Sequence, residues 1–384
     1  MAGTSKRLFL KASAAGAALG LMPKTLQAKT PTAPPERDIA TGWEFREAGT
    51  GDWLAATVPG TVHTDLLANG KIPDPFYRTN ERDLQWIDKK DWEYRTALDL
   101  DADTLAHDHV ELCFAGLDTY AEVYLNESLV LSSDNMFRRW TADIKPHAKP
   151  GRNSLRVLLK SPVAEGLKQL AAFGFDPPAV VESSEIDGIG DKKISMFTRK
   201  APYHYGWDWG PRFVTSGIWR RVHLRAWSGA RISDLHIVQQ SLSDDEARLT
   251  AVFEIVSDIA GAAAIEIESP TDPAIRKRAP VTLQPGTHAA EIEFIVSKPK
   301  RWWSNGLGEA FLYDFTGRLA AAQAQDSRAA RIGLRTLKIV QTPDAHGASF
   351  YVELNGVPVF MKGANHIPND SFLPRVTRAI YERE

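Results

Sequence analysis

The side chains with the most chemistry to offer lie in one short stretch, residues 199–211, called here the aromatic segment. At its centre are Trp207, Asp208 and Trp209, followed directly by a glycine and a proline. An indole beside a fixed carboxylate suits a sugar ring, because the C–H face of the ring stacks on the indole while its hydroxyl groups donate hydrogen bonds to the acid. We therefore interpret Trp207, Asp208 and Trp209 as candidate sugar-binding residues.

The backbone of the aromatic segment decides whether these side chains can act together. Its prolines and glycines disfavour a stable helix. An extended chain points Asp208 to the face opposite both indoles, whereas a bend at Gly206 or Gly210 lets Asp208 and one indole converge. The alternative interpretation is structural, since buried Trp and Tyr are ordinary core residues. In that case the cluster fills a gap in a β-protein core and Asp208 caps a turn.

Length and composition set the class of protein. The 384 residues predict two to three domains, and 43% hydrophobic with 24% charged residues is typical of a soluble globular protein. The formal net charge of -2 gives no reason to expect nucleic acid or an anionic membrane as a partner. Small neutral ligands fit better, and we expect no metal and no cofactor.

The first residues have the pattern of an export signal, which we assign to residues 1–28. Basic residues at positions 6, 7 and 11 precede an apolar run from Ala12 to Met22, and Ala28 offers a small residue for cleavage. The run is too short for a membrane span, which needs about 20 apolar residues. The order around Lys6-Arg7 resembles a twin-arginine signal with Lys in place of the first Arg. We expect a periplasmic or secreted protein without a membrane partner after cleavage; the alternative is an uncleaved disordered tail.

Alternating apolar and polar residues predict β-structure through most of the chain. Residues 36–228 are assigned to a jelly-roll (galactose-binding-like) β-sandwich and residues 229–342 to an immunoglobulin-like β-sandwich. Cys113, the only cysteine, falls in such an alternation and is interpreted as a small buried hydrophobic residue. The runs that carry this interpretation are Tyr120–Leu125, Ser154–Leu159, Trp219–Leu224, Leu249–Val256, Ala264–Glu268 and Ala290–Ile295.

The last part, residues 343–384, begins with a predicted hairpin. Asn355-Gly356 supplies the positive φ angles of a type I′ turn between two apolar runs. An apolar strand then leads into the polar residues 364–370, and a helix begins near Arg375. One strand, one loop and one short helix cannot bury an interior alone.

Three blocks of the sequence together resemble β-mannosidases of glycoside hydrolase family 2. The Gly-Trp-Asp-Trp-Gly-Pro run at positions 206–211 is the most specific, and the other blocks follow the family's order. They are residues 59–66 with 86–94, residues 199–211, and residues 355–372.

The resemblance implies a jelly-roll domain, an immunoglobulin-like domain and a (β/α)₈ barrel, of which residues 343–384 are the incomplete start. It places Trp207 and Asp208 at the rim of the sugar pocket. Residues 362–370 correspond to the first barrel strand and its following loop, on the face where barrel enzymes build active sites. Asn365, His366 and Asp370 are therefore further candidate substrate-binding residues. His366 stands where the family usually has Trp, which leaves the sugar preference open.

The resemblance also implies the reaction, retaining hydrolysis of terminal β-D-mannose residues in a mannose-containing oligosaccharide or glycoside. Such hydrolysis uses two carboxyl groups about 5 Å apart. In the family both are glutamates on later barrel strands, so we expect no catalytic residue in this chain and no activity from it alone. Glu81 and Glu127 follow asparagines, as the family's acid/base does, but we interpret both as turn or surface carboxylates.

Two alternatives remain open from the sequence. The chain is either the front part of a truncated hydrolase or the partner of a separately encoded barrel half. A different class of protein, a non-catalytic β-sandwich carbohydrate-binding protein, would also explain the aromatic segment.

The signal assignment predicts the effect of a deletion. Removing residues 5–22 takes away both the basic start and the apolar run, so the protein should stay in the cytoplasm. Wild-type protein should be recovered from the periplasm with its N-terminus near Lys29, as N-terminal sequencing would show. An intact Met1 in periplasmic protein would contradict cleavage.

Overall fold

The computed structural model describes residues 36–178, 182–183, 186, 188–207 and 210–384. The signal predicted at residues 1–28 lies outside the described residues, as do Asp208 and Trp209. Within the described part, no helix is long and apolar enough to cross a membrane.

The first domain is a sandwich of two antiparallel sheets, as the alternating sequence predicts. A six-stranded sheet has the order β3-β2-β4-β9-β6-β7, and a four-stranded sheet has the order β1-β10-β5-β8. The strands are β1 Arg37–Asp38, β2 Glu44–Glu47, β3 Leu54–Ala55, β4 Trp92–Leu100, β5 His109–Phe114, β6 Tyr120–Leu125, β7 Ser128–Asp134, β8 Trp140–Asp143, β9 Gly151–Leu159 and β10 Val222–Trp227.

The period of two in these strands builds the core of the first domain. In β9, Leu155, Val157 and Leu159 are buried, while the residues between them are partly exposed. Phe45 of β2 and Tyr94 of β4 pack at 5.7 Å between ring centroids in the same core. Cys113 is buried in β5, as its place in the alternation predicts.

Short helices connect and cover the sheets. Thr61 caps the first helix through a reciprocal capping box with Thr64, and Ser161 caps the fourth. The α-helices are α1 Val62–Ala68, α2 Asn80–Asp83, α3 Ala102–Ala106, α4 Pro162–Phe173 and α5 Arg378–Arg383; single 3₁₀ turns include Ile87–Lys89, Lys145–His147, Ser195–Phe197, Pro202–Tyr205 and Leu373–Arg375.

The second domain is also an antiparallel sandwich. Strands β11-β12-β15 form one sheet and β14-β13-β16-β17 the other, and they enclose a separate core around Phe253, Phe294 and Phe315. The strands are β11 Ala230–Leu242, β12 Glu246–Ser257, β13 Gly261–Glu268, β14 Arg276–Leu283, β15 Gly286–Ser297, β16 Tyr313–Ala321 and β17 Gln325–Ile332.

The last segment contains the predicted hairpin. Asn355 and Gly356 have φ angles of 52° and 83°, which the type I′ turn requires. The strands of this segment are β18 Leu337–Val340, β19 Pro343–Asp344, β20 Gly347–Ala348, β21 Tyr351–Leu354 and β22 Val357–Val359.

The structure differs from the sequence prediction just after this hairpin. Residues 360–368 carry no strand, although a first barrel strand is predicted there. A strand exists only when a neighbour exchanges backbone hydrogen bonds with it, and no described strand pairs with these residues. The predicted helix does form, as α5, although it is short.

One histidine links the two sandwich domains. His109 Nδ1 lies 2.7 Å from Asp143 Oδ2 of the first domain, and Nε2 lies 2.5 Å from Asp258 Oδ2 at the end of β12. The ring stacks on Trp227 with 4.0 Å between centroids, and the carboxylates raise its pKa against the effect of burial. The junction therefore has a defined contact rather than a bare linker.

The close approach of two backbones predicts a sensitive glycine. A Cβ on Gly217 would lie 2.4 Å from Gly60 O and 2.8 Å from Thr61 Cα, so Gly217→Ala must move main chain. We expect it to lower the free energy of unfolding by about 1–3 kcal/mol. Denaturant unfolding gives the value, with Gly363→Ala as the control because a Cβ there meets no atom within 4 Å. Equal stabilities of the two variants would contradict this account.

Candidate functional site

A buried ion pair fixes the start of the aromatic segment. Lys200 Nζ lies 2.6 and 2.5 Å from the two carboxylate oxygens of Asp118 and donates to Thr215 Oγ1 at 2.8 Å. Thr215 in turn donates to Asp118 Oδ2 at 2.6 Å. Both charged side chains are at most 1% exposed, so each depends on the other for compensation. Burial lowers the pKa of Lys200, and Asp118 opposes that shift.

A second buried cluster fixes the end of the segment. Arg212 Nη1 lies 2.5 Å from both Asp88 Oδ2 and Gln85 Oε1. The Arg212 backbone N–H donates to Glu81 Oε1, and Gln85 Nε2 donates back to the Arg212 carbonyl. Glu81, interpreted from the sequence as a turn or surface carboxylate, therefore holds the backbone directly after the segment. Glu127 lies in the β6–β7 turn with a side chain 77% exposed.

Between these two clusters the chain turns sharply twice. Residues Pro202–Tyr205 form one 3₁₀ turn, so the prediction that no stable helix forms here is confirmed. Gly206 follows with φ 90°, and a Cβ there would lie 2.4 Å from Ser183 Oγ, which is why glycine fits. The bend considered for Gly206 in the sequence is therefore present.

Trp207 begins a tight reversal of the chain. Its carbonyl accepts a 2.8 Å bond from Gly210 N, and the two residues form an antiparallel bridge. Trp207 is partly buried. Asp208 and Trp209 are outside the described residues, so their role as sugar-binding residues stays a prediction.

Residues 370–375, called here the docking turn, meet the aromatic segment. His204 Nε2 lies 3.0 Å from the Ser371 carbonyl, so Nε2 carries the proton of this bond. Leu373 packs on the small cluster of Met136, Ala201 and Trp219. The structure thus brings together the two regions from which the sequence drew its candidate residues.

The candidates on the second region are placed differently from one another. Asn365 and His366 are exposed, with His366 Nδ1 at 3.9 Å from Glu384 Oε2. Asp370 is partly buried; it accepts from the Phe372 N–H and pairs with Arg375 at 2.5 Å. Two of these side chains are therefore open to a ligand, and the third shapes the docking turn.

Sequence reasoning gave no role to Phe372 and His63, which the structure joins. Phe372 is fully buried and stacks on the His63 ring with 5.3 Å between centroids. Burial, together with the charges of Lys200 and Arg212, lowers the pKa of His63 to about 3. Burial and Lys200 also hold the pKa of His204 well below its usual value. The only sequence signal was that residues 59–66 and 355–372 belonged to the resembling blocks.

Among the residues that the structure describes, no group of three or more His, Cys, Asp or Glu side chains is placed to hold a metal ion. Burial raises the pKa of Tyr203 to about 12, so its hydroxyl stays protonated and able to donate near neutral pH.

Comparison with protein families identifies the class. The model described as glycosyl hydrolase 2 galactose-binding domain-like matches residues 43–220, and the model described as glycosyl hydrolases family 2 matches residues 230–335. The two matches cover the two sandwiches described above. The chain belongs to glycoside hydrolase family 2.

Its similar relatives are β-mannosidases. It is 34% identical over 356 residues to β-mannosidase B of Aspergillus terreus, covering 91% of this chain and 41% of that protein. It is 35% identical over 355 residues to β-mannosidase B of Emericella nidulans, covering 90% of this chain and 40% of that protein. The chain thus spans about two fifths of the length of these relatives.

Solved structures agree on the fold. The β-D-mannosidase of Dictyoglomus thermophilum has a TM-score of 0.83 at 34% identity, over 90% of this chain and 42% of that one. The exo-chitosanase CsxA of Amycolatopsis orientalis has a TM-score of 0.64 at 21% identity, over 88% and 38% of the two chains, which shows a shared fold alone.

The ion pair before the aromatic segment predicts a large loss of stability. Lys200→Met leaves the Asp118 carboxylate buried without its counter-charge, so unfolding should become easier by about 3–5 kcal/mol. Lys168→Met is the matched control, because Lys168 is 69% exposed and pairs with Glu165 on the surface of α4; about 0–1 kcal/mol is expected there. Chemical denaturation of both variants measures the difference, and similar losses would refute it.

Proposed function

We propose that the protein acts as a β-mannosidase-type glycoside hydrolase, in which this chain supplies a non-catalytic wall of the sugar pocket. The reaction is retaining hydrolysis of terminal β-D-mannose from a mannose-containing glycoside. Identity of 34–35% to proteins named β-mannosidase over nine tenths of this chain supports the substrate class. Export to the periplasm or out of the cell is part of the same proposal.

The contact between the aromatic segment and the docking turn is the observation that carries this proposal. His204 and Ser371 join regions that are 167 residues apart in sequence. The segment is held on both sides by buried charges, so Trp207 is presented from a rigid base. A site that must place an indole against a sugar needs such rigidity, because small displacements of a binding group cost affinity.

Each candidate residue then receives a distinct task. Trp207 offers stacking area to the sugar, and Asp208 accepts hydrogen bonds from its hydroxyl groups. The exposed side chains of Asn365 and His366 contact the sugar from the second region. Asp370 already binds Arg375 and the Phe372 N–H, so we assign it to holding the docking turn.

The catalytic carboxyl groups are not assigned to this chain. Glu81 is engaged with the Arg212 backbone, and Glu127 lies on an exposed turn beside Arg156. We therefore propose that the 384-residue chain alone has no hydrolytic activity.

A carbohydrate-binding protein without catalysis is the second candidate. Each sandwich has its own hydrophobic core, so the two domains can fold without further structure. In this case the aromatic segment would bind a mannoside without turnover. The first experiment below separates the two candidates.

The purified chain should not hydrolyse an aryl β-mannoside, because neither positioned carboxyl group is available to it. A chimera that joins residues 36–384 to the remaining part of the Dictyoglomus enzyme should restore activity. Release of the aryl group measures both. Turnover by the chain alone would overturn the assignment of catalysis elsewhere, and a folded but inactive chimera would favour the binding protein.

Two substitutions in that chimera test the sugar contacts. Asp208→Asn keeps the shape but removes the charge, and should lose about 1.5–3 kcal/mol of transition-state stabilisation per charge-assisted bond. Trp207→Ala removes stacking area, so both changes should lower kcat/KM without abolishing hydrolysis. Trp53→Ala is a control, because Arg46 and Arg95 cover that indole at 4.3 and 4.1 Å.

The core-packing alternative makes the opposite prediction for the same variants. Emptying a Trp-sized space in a core costs about 3–5 kcal/mol of stability. A collapsed melting temperature with unaltered kcat/KM in Trp207→Ala would show that the aromatic segment is packing and that the sugar site is wrongly assigned.

A further inference from the structure

The Phe372 side chain is the deepest attachment of the last segment to the first domain. Its ring is 0% exposed and lies against His63, Phe76 and Phe213 at centroid distances of 5.3, 5.6 and 5.4 Å. These partners come from three separate parts of the jelly-roll sequence. Phe372 is thus a core residue of a domain to which it does not belong in sequence.

The docking turn is built to present this ring. Asp370 accepts from the Phe372 N–H at 2.8 Å and pairs with Arg375, which closes the turn on itself. The Arg375 guanidinium lies over the Phe372 ring at 4.9 Å and over the Phe76 ring at 5.6 Å. Just before the ring, the Ser371 carbonyl accepts from His204.

The residues before the docking turn have no comparable attachment to the first domain. Phe360 is 83% exposed, Met361 67% and Ile367 45%. Residues 364–369, called here the polar loop, are exposed except for the partly buried Pro368, and they include Asn365 and His366. The polar loop leads directly into the docking turn, so its position relative to the first domain depends on that turn.

We propose that Phe372 is a positioning residue: inserted between His63, Phe76 and Phe213, it fixes the docking turn on the first domain and thereby holds in place the polar loop that leads into this turn. The ligand of the polar loop rests on the proposed function. The docking of Phe372 on the first domain does not. Phe372 acts through Asn365 and His366 and does not itself touch the sugar.

The neutral state of His63 is a condition of this docking. Its ring is buried, with the cations Lys200 and Arg212 acting on it, and its Nδ1 has no hydrogen-bond partner among the described residues. A protonated His63 would be a third buried cation beside Lys200 and Arg212. Unlike these two, it would have no carboxylate partner. Docking therefore requires the unprotonated ring.

The direction of the pH dependence follows from the two pKa values of His63. Burial and the charges of Lys200 and Arg212 lower the pKa of His63 to about 3 in the docked state, and the pKa rises towards its usual value of 6.5 when Phe372 withdraws and water reaches the ring. Docking is therefore strongest near neutral pH and weakens as the pH falls below 6.5, because the undocked ring takes up a proton more readily than the docked ring.

The other titratable groups around His63 do not reverse this direction. His204 faces it from the aromatic segment and is also buried neutral, so acid acts on it in the same sense. Arg375 on the docking turn lies over the Phe372 ring and pairs with Asp370. Asp65 on the same helix has a pKa raised to about 6 by burial, and its carboxylate accepts from the Tyr94 hydroxyl and the Thr57 N–H, both within the first domain.

Amide hydrogen exchange on the full chain tests the docking. Phe372→Ala should speed exchange of peptides covering residues 364–376 by about tenfold or more, and leave β4 and β9 unchanged. Phe372→Leu should be intermediate, because it keeps part of the apolar contact. Phe360→Ala is the matched control, since it removes an exposed ring from the same segment.

Two results of this experiment would overturn the proposal. Equal acceleration in the polar loop and in β4 and β9 would mean that Phe372 only stabilises the first domain. Unchanged exchange of the hydrogen-bonded amides of Arg375 and Val376 in Phe372→Ala would mean that other contacts hold the docking turn.

A pH series tests the role of His63, with exchange corrected for its intrinsic chemical rate. The polar loop of the wild-type chain should lose protection between pH 6.5 and 4.5, and His63→Phe should lose most of that dependence because its ring keeps the contact but cannot bind a proton. An unchanged pH dependence in His63→Phe would overturn the role of the neutral ring.

The chimera separates this proposal from the proposed function. If it hydrolyses the mannoside, Phe372→Ala should raise KM at least severalfold more than it lowers kcat, since the loop loses its place but the chemistry is intact. The reverse split would overturn the positioning role. If the wild-type chimera is inactive, the proposed function fails, and the exchange experiment still decides the docking.

Discussion

The ion pair of Lys200 and Asp118 is the constraint on which the site depends. Two charges without access to water are costly unless each compensates the other, so the pair admits essentially one arrangement of the chain around it. Lys200 enters the aromatic segment, whereas Asp118 is bridged to Gly217 through two backbone hydrogen bonds. Because separating the two buried charges would be unfavourable, the pair fixes the point at which the aromatic segment leaves the jelly-roll domain.

Burial, together with the charge of Lys200, determines the protonation of the neighbouring histidines. His63 and His204 are buried near Lys200, and both keep a pKa far below the usual value. A neutral imidazole packs against Phe372 as an aromatic ring would, and can still donate one hydrogen bond, as His204 does to Ser371. The buried surroundings that keep His63 neutral, Lys200 among them, thus allow the apolar ring of Phe372 to pack against it.

The two sandwiches were predictable because a strand with one buried face alternates apolar and polar residues. Tyr120–Leu125 shows this alternation in its sequence and in its burial. The turn at Asn355-Gly356 was predictable because few residues adopt positive φ. Lys200 and Phe372 were not assigned roles, since a buried cation and a buried ring look like any other Lys or Phe until partners distant in sequence are known. The strand expected before the polar loop failed for a related reason: strand pairing is a property of two segments, and a pattern within one cannot supply the other.

The polar loop belongs to a segment that is attached to the two domains at both of its ends. On one side, Asn355 Nδ2 donates to the Trp302 carbonyl at 3.0 Å and its Oδ1 accepts from Thr336 N, which ties the hairpin to the second domain. On the other side, Phe372 enters the core of the first domain. The two domains are themselves joined through His109. The contacts of Asn355, Phe372 and His109 therefore connect the last segment and the two domains in a closed ring. Because Asn355 and Phe372 fix the segment on either side, the polar loop can remain open to a ligand and still have a defined position.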